Sequence, residues 1–402
     1  MLKEQEIGQI VYRTVDLMNA QAVREFQLPP DTYIGAGAIA RIGAAVAARG
    51  ISNAFVVIDE IVDSLALAEG MYRSLEYSGV RHILCRQPAG EPQSHIVERE
   101  AGVFIESGCD GMIAIGGGSA IDAAKAIVLL AANPGLTVNG MLDKTRIRKH
   151  RAPLIAVPTT AGTGSEATNV TVIADSSEHH KRVIVHPSLV PDLAVIDACL
   201  MLGLPPHVTA ATGIDALTHS IEAYVATMST PLTRALAYQA ILLIGAALPV
   251  ATGQGGNVQA RESMALASYM AGIAFSNAGL GLTHSMAHQI GPRYKIPHGV
   301  ANSILLPSVM RFNELVCKKV FCDVGLALTG EIMSSSKTID VVQQFIVDVG
   351  LPANLAAAGG KEEDFASFAD DALKDYCIAT NPRTVSREQI IEIYRHAMQR
   401  EK

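Results

Sequence analysis

Two patterns of apolar and polar residues divide the chain. Between residues 53 and 197, short apolar runs alternate with segments of helical periodicity. Unbroken apolar runs of this length are typical of strands buried on both faces of a parallel sheet. The predicted strands are 53–59, 80–85, 109–115, 153–157 and 193–197, and the predicted helices between them are 65–78, 96–107 and 121–132. This alternation predicts a Rossmann-like α/β unit with a parallel sheet and helices on both faces.

The pattern changes after the Pro205-Pro206 pair. Apolar residues then recur three and four positions apart, as on one face of a helix, and no strand pattern is convincing. The predicted helices in this part include 210–226, 231–248, 260–278, 282–290 and 300–316. We therefore expect an α/β domain at residues 28–205 and an all-helical domain at residues 206–402.

A separate segment precedes both domains. Residues 1–27 form an extension in which Ile7, Val11 and Val15 recur at helical spacing, and this predicts an amphipathic helix over residues 5–23. Such a helix packs on its own subunit or dimer, or it docks a partner. The first role is favoured because it is the more common one.

Composition narrows the class of protein. A chain of 402 residues is long enough for about two domains, and a hydrophobic fraction of 49% excludes a mainly disordered chain. The formal net charge of -7 disfavours a nucleic-acid partner, because nucleic-acid binding needs a basic surface. The six cysteines show no Cys-x-x-Cys spacing, which indicates reduced thiols in an intracellular protein.

No membrane or export segment is predicted. The first residues are polar and no apolar stretch follows them, so a secretory signal is not expected. The longest apolar run in the second half, residues 240–250, is shorter than the ~20 residues that span a bilayer. We expect a soluble, cytoplasmic protein without a membrane partner.

The first candidate ligand site is the run Gly116-Gly117-Gly118-Ser119, between a predicted strand and a predicted helix. Glycine lets backbone N–H groups approach an anion, and the start of the helix adds partial positive charge. A diphosphate would lie on Gly117, Gly118 and Ser119, with Asp122 in the first turns of the helix. Taken alone, the run is explained equally well by a tight turn without a ligand.

Two further features lie at the carboxyl ends of predicted strands, where open α/β sheets bind ligands. The loop after residue 157 contains Thr159, Thr160 and Thr163, whose hydroxyl groups suit the remainder of a dinucleotide. Asp59 ends the first predicted strand, where a carboxylate binds the ribose diol of NAD and repels the 2′-phosphate of NADP. An ordinary flexible loop and a surface acid are the alternatives.

The all-helical part carries the strongest candidate chemistry. Asp215 and His219 are four residues apart, as are His284 and His288, and His298 follows. Residues four apart share one face of a helix, and titratable groups in apolar helices are costly unless they pair or bind a metal. One carboxylate and three imidazoles suit Fe(II) or Zn(II), acting as a Lewis acid on a substrate oxygen. A surface or capping group explains a single His, but the set favours a metal site.

These motifs together resemble those of the iron-dependent (group III) alcohol dehydrogenases. The similar segments are 116–125, 158–166, 213–219 and 279–299, and the resemblance extends from about residue 30 to the end of the chain. It implies a cleft between a nucleotide-binding domain and a metal-binding domain, with NAD as cofactor and a homodimer as the assembly. The metal ligands that it implies are Asp215, His219, His284 and His298.

The resemblance also implies roles for five other side chains. His288 matches a proton-relay position near the substrate, while Phe275 and Cys377 match positions that line the substrate pocket. Lys181 matches a position near the nicotinamide ribose, and Asp59 matches the position that selects NAD.

The extension is similar to that of a subgroup of this family, the ethanolamine-utilisation enzymes of bacterial microcompartments. Residues 53–59, 106–111 and 165–170 are similar to that subgroup too. A microcompartment shell or a co-encapsulated enzyme is therefore a candidate partner of residues 5–23. If so, deletion of residues 1–27 is expected to leave turnover intact and to abolish co-localisation with a shell. One departure is Val170, where some lactaldehyde-reducing relatives have Asn.

The expected activity is hydride transfer between a short-chain alcohol or aldehyde and NAD(H), with aldehyde reduction as the expected direction. The alternatives within the superfamily are a polyol dehydrogenase (glycerol, 1,2- or 1,3-propanediol, lactaldehyde type) and a metal-dependent dehydroquinate synthase. A metal hydrolase would need a His-Glu-x-x-His motif, and Ser285 follows His284 instead. A non-catalytic structural subunit recruited through residues 5–23 is the remaining alternative.

Overall fold

The computed structural model describes residues 24–399 apart from residues 89, 149, 176–180 and 353. The predicted helix over residues 5–23 therefore lies outside the described residues. The fold confirms the prediction of a parallel α/β unit followed by a helical unit.

Six parallel strands form the sheet of the first unit, in the order β1-β8-β5-β4-β2-β3, and β6 and β7 form a separate antiparallel hairpin. The eight strands are β1 Asp31–Ile34, β2 Asn53–Asp59, β3 Arg81–Gln87, β4 Gly111–Gly116, β5 Leu154–Pro158, β6 Val170–Ala174, β7 Lys181–Val185 and β8 Leu193–Ile196. From β2 the chain crosses outward to β3 and then returns to β4 on the other side of β2. The crevice for a ligand is thus expected where the carboxyl ends of β2 and β4 meet.

Helices cover both faces of this sheet. They are α1 Ile42–Ala48, α2 Glu60–Ser64, α3 Glu69–Tyr77, α4 Ser94–Glu106 and α5 Gly118–Ala132. Alternate residues of β2 point to opposite faces: Val56 packs in the core with α1 and α3, and Phe55 packs in the core with α4 and α5. The central strands are buried on both faces, which is why they read as unbroken apolar runs.

Three details of this unit differ from the prediction. The predicted helix 65–78 is shortened to α3, because the chain turns through Ala66 at a positive φ of 54°, and the short helix α2 before that turn was not predicted. The edge strand β1 and the hairpin of β6 and β7 were not predicted. Their residues are only partly buried, so they lack the apolar runs that mark the central strands.

The second unit contains no strand among its described residues. Its helices are α6 Pro206–Val225, α7 Pro231–Gly253, α8 Val258–Ala278, α9 Leu282–Tyr294, α10 His298–Thr329, α11 Ser335–Asp348, α12 Phe365–Ala372 and α13 Arg387–Gln399. Helix α6 is almost wholly buried and packs against α7, α8 and α10. Any charged group on the buried part of α6 must therefore find its partners inside the protein.

The expectation that no apolar segment reaches membrane-spanning length is wrong for α7. This helix has 23 residues and is apolar enough to cross a bilayer by length and composition. Its core-facing side is buried, with Ala240, Ile244 and Leu248 packed in the core of the helical unit, whereas Leu242 and Val250 are exposed. Helices in the core of a globular protein pass the same test, so α7 is weak evidence for a membrane span.

Candidate active site

The four predicted metal ligands converge at one point of the helical unit. Helix α6 carries Asp215 and His219, α9 carries His284, and His298 is the first residue of α10. The Oδ1 atom of Asp215 lies 3.9 Å from Nε2 of His219, 3.9 Å from Nε2 of His284 and 3.6 Å from Nε2 of His298. Three imidazole nitrogens thus surround one carboxylate oxygen.

Two groups outside this cluster fix the orientation of its imidazole rings. The Nδ1 atom of His284 lies 2.6 Å from Oε2 of Glu222, and Nδ1 of His219 lies 3.2 Å from the carbonyl oxygen of Gly162. When Nδ1 carries the donated proton, Nε2 is left as an acceptor that faces the cluster. Buried histidines held in this way are typical of metal ligands.

Sequence reasoning missed Glu222. This residue is on the same helix as Asp215 and His219, three positions after His219, and only 4% of it is exposed. It also accepts the backbone N–H groups of Gly281 at 3.0 Å and Thr283 at 2.7 Å, at the start of α9. The sequence signal for Glu222 was its position as a third titratable residue, at helical spacing, on an otherwise apolar helix.

Burial and mutual charge set the protonation of the cluster. Burial raises the pKa of Asp215, but the charges of His219, His298 and His284 and a hydrogen bond from Asn302 outweigh it, so this pKa lies below its ordinary value. Burial lowers the pKa of His219 to about 4 and that of His298 well below its ordinary value. A charged carboxylate and neutral imidazoles are the forms that bind a cation.

His284 titrates differently. Burial lowers its pKa, but the hydrogen bond with Glu222 and the charges of Glu222 and Asp215 outweigh burial and raise it above the ordinary value. The acidic partner therefore favours a proton on Nδ1 of this ring, the side that faces away from the cluster.

The amide of Asn302 shows what kind of group the cluster is built to hold. Its Nδ2 lies 2.7 Å from Oδ1 of Asp215 and 3.2 Å from Nε2 of both His284 and His298. One NH₂ group thus faces three acceptors, while the buried Oδ1 of Asn302 has no partner among the described residues. Acceptors that converge on one positively polarised group fit a divalent cation.

His288 is near this cluster but is held by a different acid. Its Nδ1 lies 2.8 Å from Oδ2 of Asp375, and its ring stacks on that of His298 with centroids 5.4 Å apart. Asp375, which sequence reasoning also missed, accepts the backbone N–H of Cys377 at 2.9 Å. Because His288 and Asp375 are 87 positions apart in the chain, no local sequence pattern indicates this pair.

A cavity of about 310 Å³ connects the metal cluster with the α/β unit. The residues that line it include Gly118 and Ser119 at the start of α5, and Thr163, Lys181, Phe275 and Cys377. The ring of Phe275 stacks on that of His219 with centroids 4.4 Å apart. The structure therefore places the predicted diphosphate turn, substrate pocket and metal cluster around one cavity.

The glycine turn lies at the crevice between β2 and β4. Gly116 has φ of 154°, and a Cβ there would lie 2.8 Å from Cβ of Asp59. A Cβ on Gly118 would lie 2.8 Å from Cγ2 of Thr163, so the two predicted loops are in close contact. Gly117 begins α5 without a side-chain cap, which leaves the helix N-terminus open to an anion.

The other predicted cofactor residues divide into two groups. Thr163 lines the cavity, whereas Thr159 and Thr160, both described, are not among its lining residues. Thr159 instead donates its backbone N–H to the carbonyl of Gly116 at 2.9 Å, which joins the two loops. Oδ1 of Asp59 accepts the N–H of Ile61 at 2.8 Å, so this carboxylate caps α2 at the predicted ribose position.

Asp122 lines the cavity, but its carboxylate is occupied by protein groups. It accepts from the hydroxyl of Ser165 at 3.0 Å and from the N–H of Val172 at 2.9 Å. Burial raises its pKa to about 6, and burial lowers the pKa of the neighbouring Lys125 to about 8. The Nζ of Lys125 donates to the carbonyl oxygens of Thr168 and Val170, each at 2.8 Å, so this pair holds the start of β6 and the loop before it against α5.

Comparisons with known proteins place the site in context. The sequence model described as iron-containing alcohol dehydrogenase matches residues 29–198, and the model of the C-terminal part of the Fe-containing alcohol dehydrogenase family matches residues 209–398. The chain is 47% identical over 389 residues to the probable alcohol dehydrogenase EutG of Salmonella typhimurium, covering 97% of this chain and 98% of that protein. It is 38% identical over 380 residues to the NAD-dependent methanol dehydrogenase of Bacillus methanolicus, covering 93% and 99%.

Solved structures agree with the sequence comparison. The crystal structure of a 1,3-propanediol oxidoreductase superposes with a TM-score of 0.90 at 35% identity, covering 94% of this chain and 100% of that chain.

Proposed function

Because the chain belongs to the iron-containing alcohol dehydrogenase family, we propose that it interconverts short-chain alcohols and aldehydes with NAD(H). The observation that carries the proposal is the single cavity between the open N-terminus of α5 and the buried Asp215 cluster. A hydride donor bound at one end and a substrate oxygen at the other end would lie within one shared cavity.

Four side chains would hold the metal: Asp215, His219, His284 and His298. The metal supplies Lewis acidity at the oxygen of the alcohol or aldehyde. Glu222 and the carbonyl of Gly162 keep the imidazole rings in the ligating orientation. We assign Fe(II) as the resident ion, with Zn(II) as the alternative, because a carboxylate with three imidazoles suits both.

The α/β unit would bind the cofactor. NAD(H) carries the hydride. Its diphosphate would lie on the backbone N–H groups of Gly117, Gly118 and Ser119, where the helix dipole favours negative charge. The carboxylate of Asp59 at the β2 end favours a ribose diol over a 2′-phosphate. Lys181, which lines the cavity and pairs with Glu91, would contact the nicotinamide ribose.

The remaining cavity residues would handle the proton and the substrate chain. His288, held by Asp375, would exchange the alcohol proton with solvent. Phe275 and the buried Cys377 narrow the cavity beside the metal cluster. A cavity narrowed by these two side chains suits short aliphatic substrates.

A second candidate substrate class is a short diol or hydroxyaldehyde. Asn169 lines the same cavity, and its buried Oδ1 has no partner among the described residues. This acceptor would bind a second hydroxyl group on the substrate. The similarity to a 1,3-propanediol oxidoreductase supports this alternative.

The cellular setting is part of the same proposal. The similarity to EutG of Salmonella typhimurium supports membership of the ethanolamine-utilisation subgroup. We infer a cytoplasmic homodimer that reduces aldehyde and regenerates NAD within a bacterial microcompartment, with residues 5–23 docking a shell protein or a co-encapsulated enzyme.

The test is NADH oxidation with acetaldehyde, propanal and lactaldehyde, using metal-free protein reconstituted anaerobically with Fe(II) or Zn(II). Wild-type protein is compared with His284→Ala and with His207→Ala, a matched control at an exposed position of α6. We expect metal-dependent turnover in wild type and in the control, and none in His284→Ala.

The outcomes separate the candidates. Higher kcat/KM for lactaldehyde than for propanal would favour the diol class. Tight NADH binding without turnover on any aldehyde would contradict the proposed reaction. Absence of NADH binding would contradict the cofactor assignment and restore the structural-subunit alternative.

A further inference from the structure

A short segment at the start of the described chain runs across the helical unit before it enters the sheet. Residues 24–28 lead into β1, the edge strand. Phe26 packs against the core of the helical unit, and the Arg24 side chain donates to the carbonyl of Met228 at 3.0 Å. The segment is therefore anchored on the second unit although it continues into the first.

Gln27 in this segment is bound from both units. Its backbone N–H donates to Oδ1 of Asn277 at 2.7 Å, and its carbonyl accepts from Nδ2 of Asn277 at 2.7 Å. Its side-chain Oε1 accepts from Nδ2 of Asn169 at 2.9 Å. Asn277 is on α8 in the helical unit and Asn169 precedes β6 in the α/β unit, so one residue joins the two.

Both partners of Gln27 line the active-site cavity. The backbone N–H of Asn169 also donates to Oγ of Ser276 at 3.0 Å, directly beside Asn277. The preceding residue on α8, Phe275, stacks on the metal-ligand candidate His219. The contacts of Gln27 thus join the substrate wall on α8 to the loop that Lys125 holds, alongside the direct hydrogen bond between Asn169 and Ser276.

We propose that residues 24–28 form an interdomain clasp, and that Gln27 is a positioning residue that fixes the width of the cleft through Asn169 and Asn277. The inference rests on the proposed alcohol dehydrogenase activity. It also divides the predicted extension, because residues 24–27 then belong to the catalytic body. Deletion of residues 1–27 is therefore expected to raise KM, whereas the sequence led to the expectation that turnover stays intact.

The first experiment compares variants that remove different bonds. Gln27→Ala removes the acceptor of Asn169 together with an exposed hydrogen bond from Nε2 to Glu25 at 3.3 Å, whereas Asn277→Ala removes both bonds to the backbone of residue 27. For Gln27→Ala we expect KM for propanal and for NADH to rise about fivefold, the effect of about one buried hydrogen bond, with a larger rise for Asn277→Ala. The kcat and the bound metal stay near wild type, because a wider cleft weakens binding and leaves the metal ligands in place.

Two variants distinguish positioning from a general loss of structure. Gln27→Glu keeps the Oε1 acceptor and should restore KM, and Gln254→Ala, at an exposed position, is the matched control with wild-type KM. Deletion of residues 1–23 should also leave KM unchanged. Unchanged KM in both Gln27→Ala and Asn277→Ala would overturn the proposal, and so would a lower Tm without a change in KM.

Hydrogen exchange supplies a readout that does not need turnover. In Gln27→Ala, backbone amides of residues 165–174 and 275–281 should exchange faster than in wild type and in Gln254→Ala. Unchanged exchange in these two segments would also overturn the clasp. If the wild-type protein has no activity, but amides in these segments still exchange faster in Gln27→Ala than in wild type, then the proposed function fails while the clasp stands.

Discussion

The substitution Glu222→Gln tests whether a buried carboxylate outside the ligand set controls metal affinity. Glu222 accepts three hydrogen bonds: from Gly281 N–H, from Thr283 N–H and from Nδ1 of His284. An amide offers one carbonyl oxygen in place of two carboxylate oxygens. At least one of these donors must then face an NH₂ group, and the charge that holds the proton on Nδ1 of His284 is lost.

The contacts of Glu222 lead to separate expected effects on metal binding and on stability. Loss of a partner that orients a ligating histidine typically lowers metal affinity about 10- to 100-fold, or about 1.4–2.8 kcal/mol. Glu222 also satisfies two N–H groups at the start of α9. Loss of one such bond should lower the free energy of unfolding of the metal-free protein by about 1 kcal/mol.

Competition between the protein and a chromophoric chelator for Zn(II) measures the affinity, and urea unfolding of metal-free protein measures the stability. Glu331→Gln, the same exchange at an exposed residue, is the control and should match wild type in both assays. Wild-type affinity in Glu222→Gln, together with lower stability, would refute the reasoning and would leave Glu222 as a cap of α9 alone.

Three further predictions concern the α/β unit. Asp59→Gly removes the charge that repels a 2′-phosphate, so the ratio of kcat/KM with NADPH to kcat/KM with NADH should rise at least about tenfold. Steady-state assays with both cofactors measure this ratio, and an unchanged ratio would contradict the proposed role of Asp59. Gly118→Ala places a Cβ 2.8 Å from Cγ2 of Thr163, so KM for NADH should rise about tenfold while bound metal, measured by elemental analysis, stays constant. Burial raises the pKa of Glu166 from its ordinary 4.5 to about 7, so the folded protein keeps a proton that the unfolded chain releases, and the contribution of Glu166 to stability should fall as pH rises through this window. Glu166→Gln should remove this contribution, so the change in the free energy of unfolding between pH 4 and pH 8 should differ between wild type and variant by up to about 3 kcal/mol; an equal change in both proteins, measured by urea unfolding, would contradict the reasoning.

The correct and the missed elements of the fold have a common explanation. β2, β4, β5 and β8 are buried on both faces, so each is an unbroken apolar run that is visible without any structural context. β1 and the hairpin of β6 and β7 are only partly buried, and their identity as strands depends on pairing with distant segments. The break at Ala66 depends on one backbone angle that its neighbours do not dictate.

The residues of the candidate site also differ in whether local sequence patterns predict them. The sequence alone determined the class of fold, the glycine turn and the metal-ligand candidates, because spacing of four residues on a helix and small residues after a strand are local properties. It also determined the family, since the motifs that carry the chemistry lie in short segments.

Only the tertiary structure decided which groups support those residues. Glu222 meets His284 across 62 positions of the chain, Asp375 meets His288 across 87, and Gln27 meets Asn277 across 250. Each pair forms because packed helices and strands bring distant side chains within hydrogen-bonding distance. The spacing of residues along the sequence does not show which distant segments pack together. The orientation of the ligands and the width of the cleft are therefore properties of the folded chain.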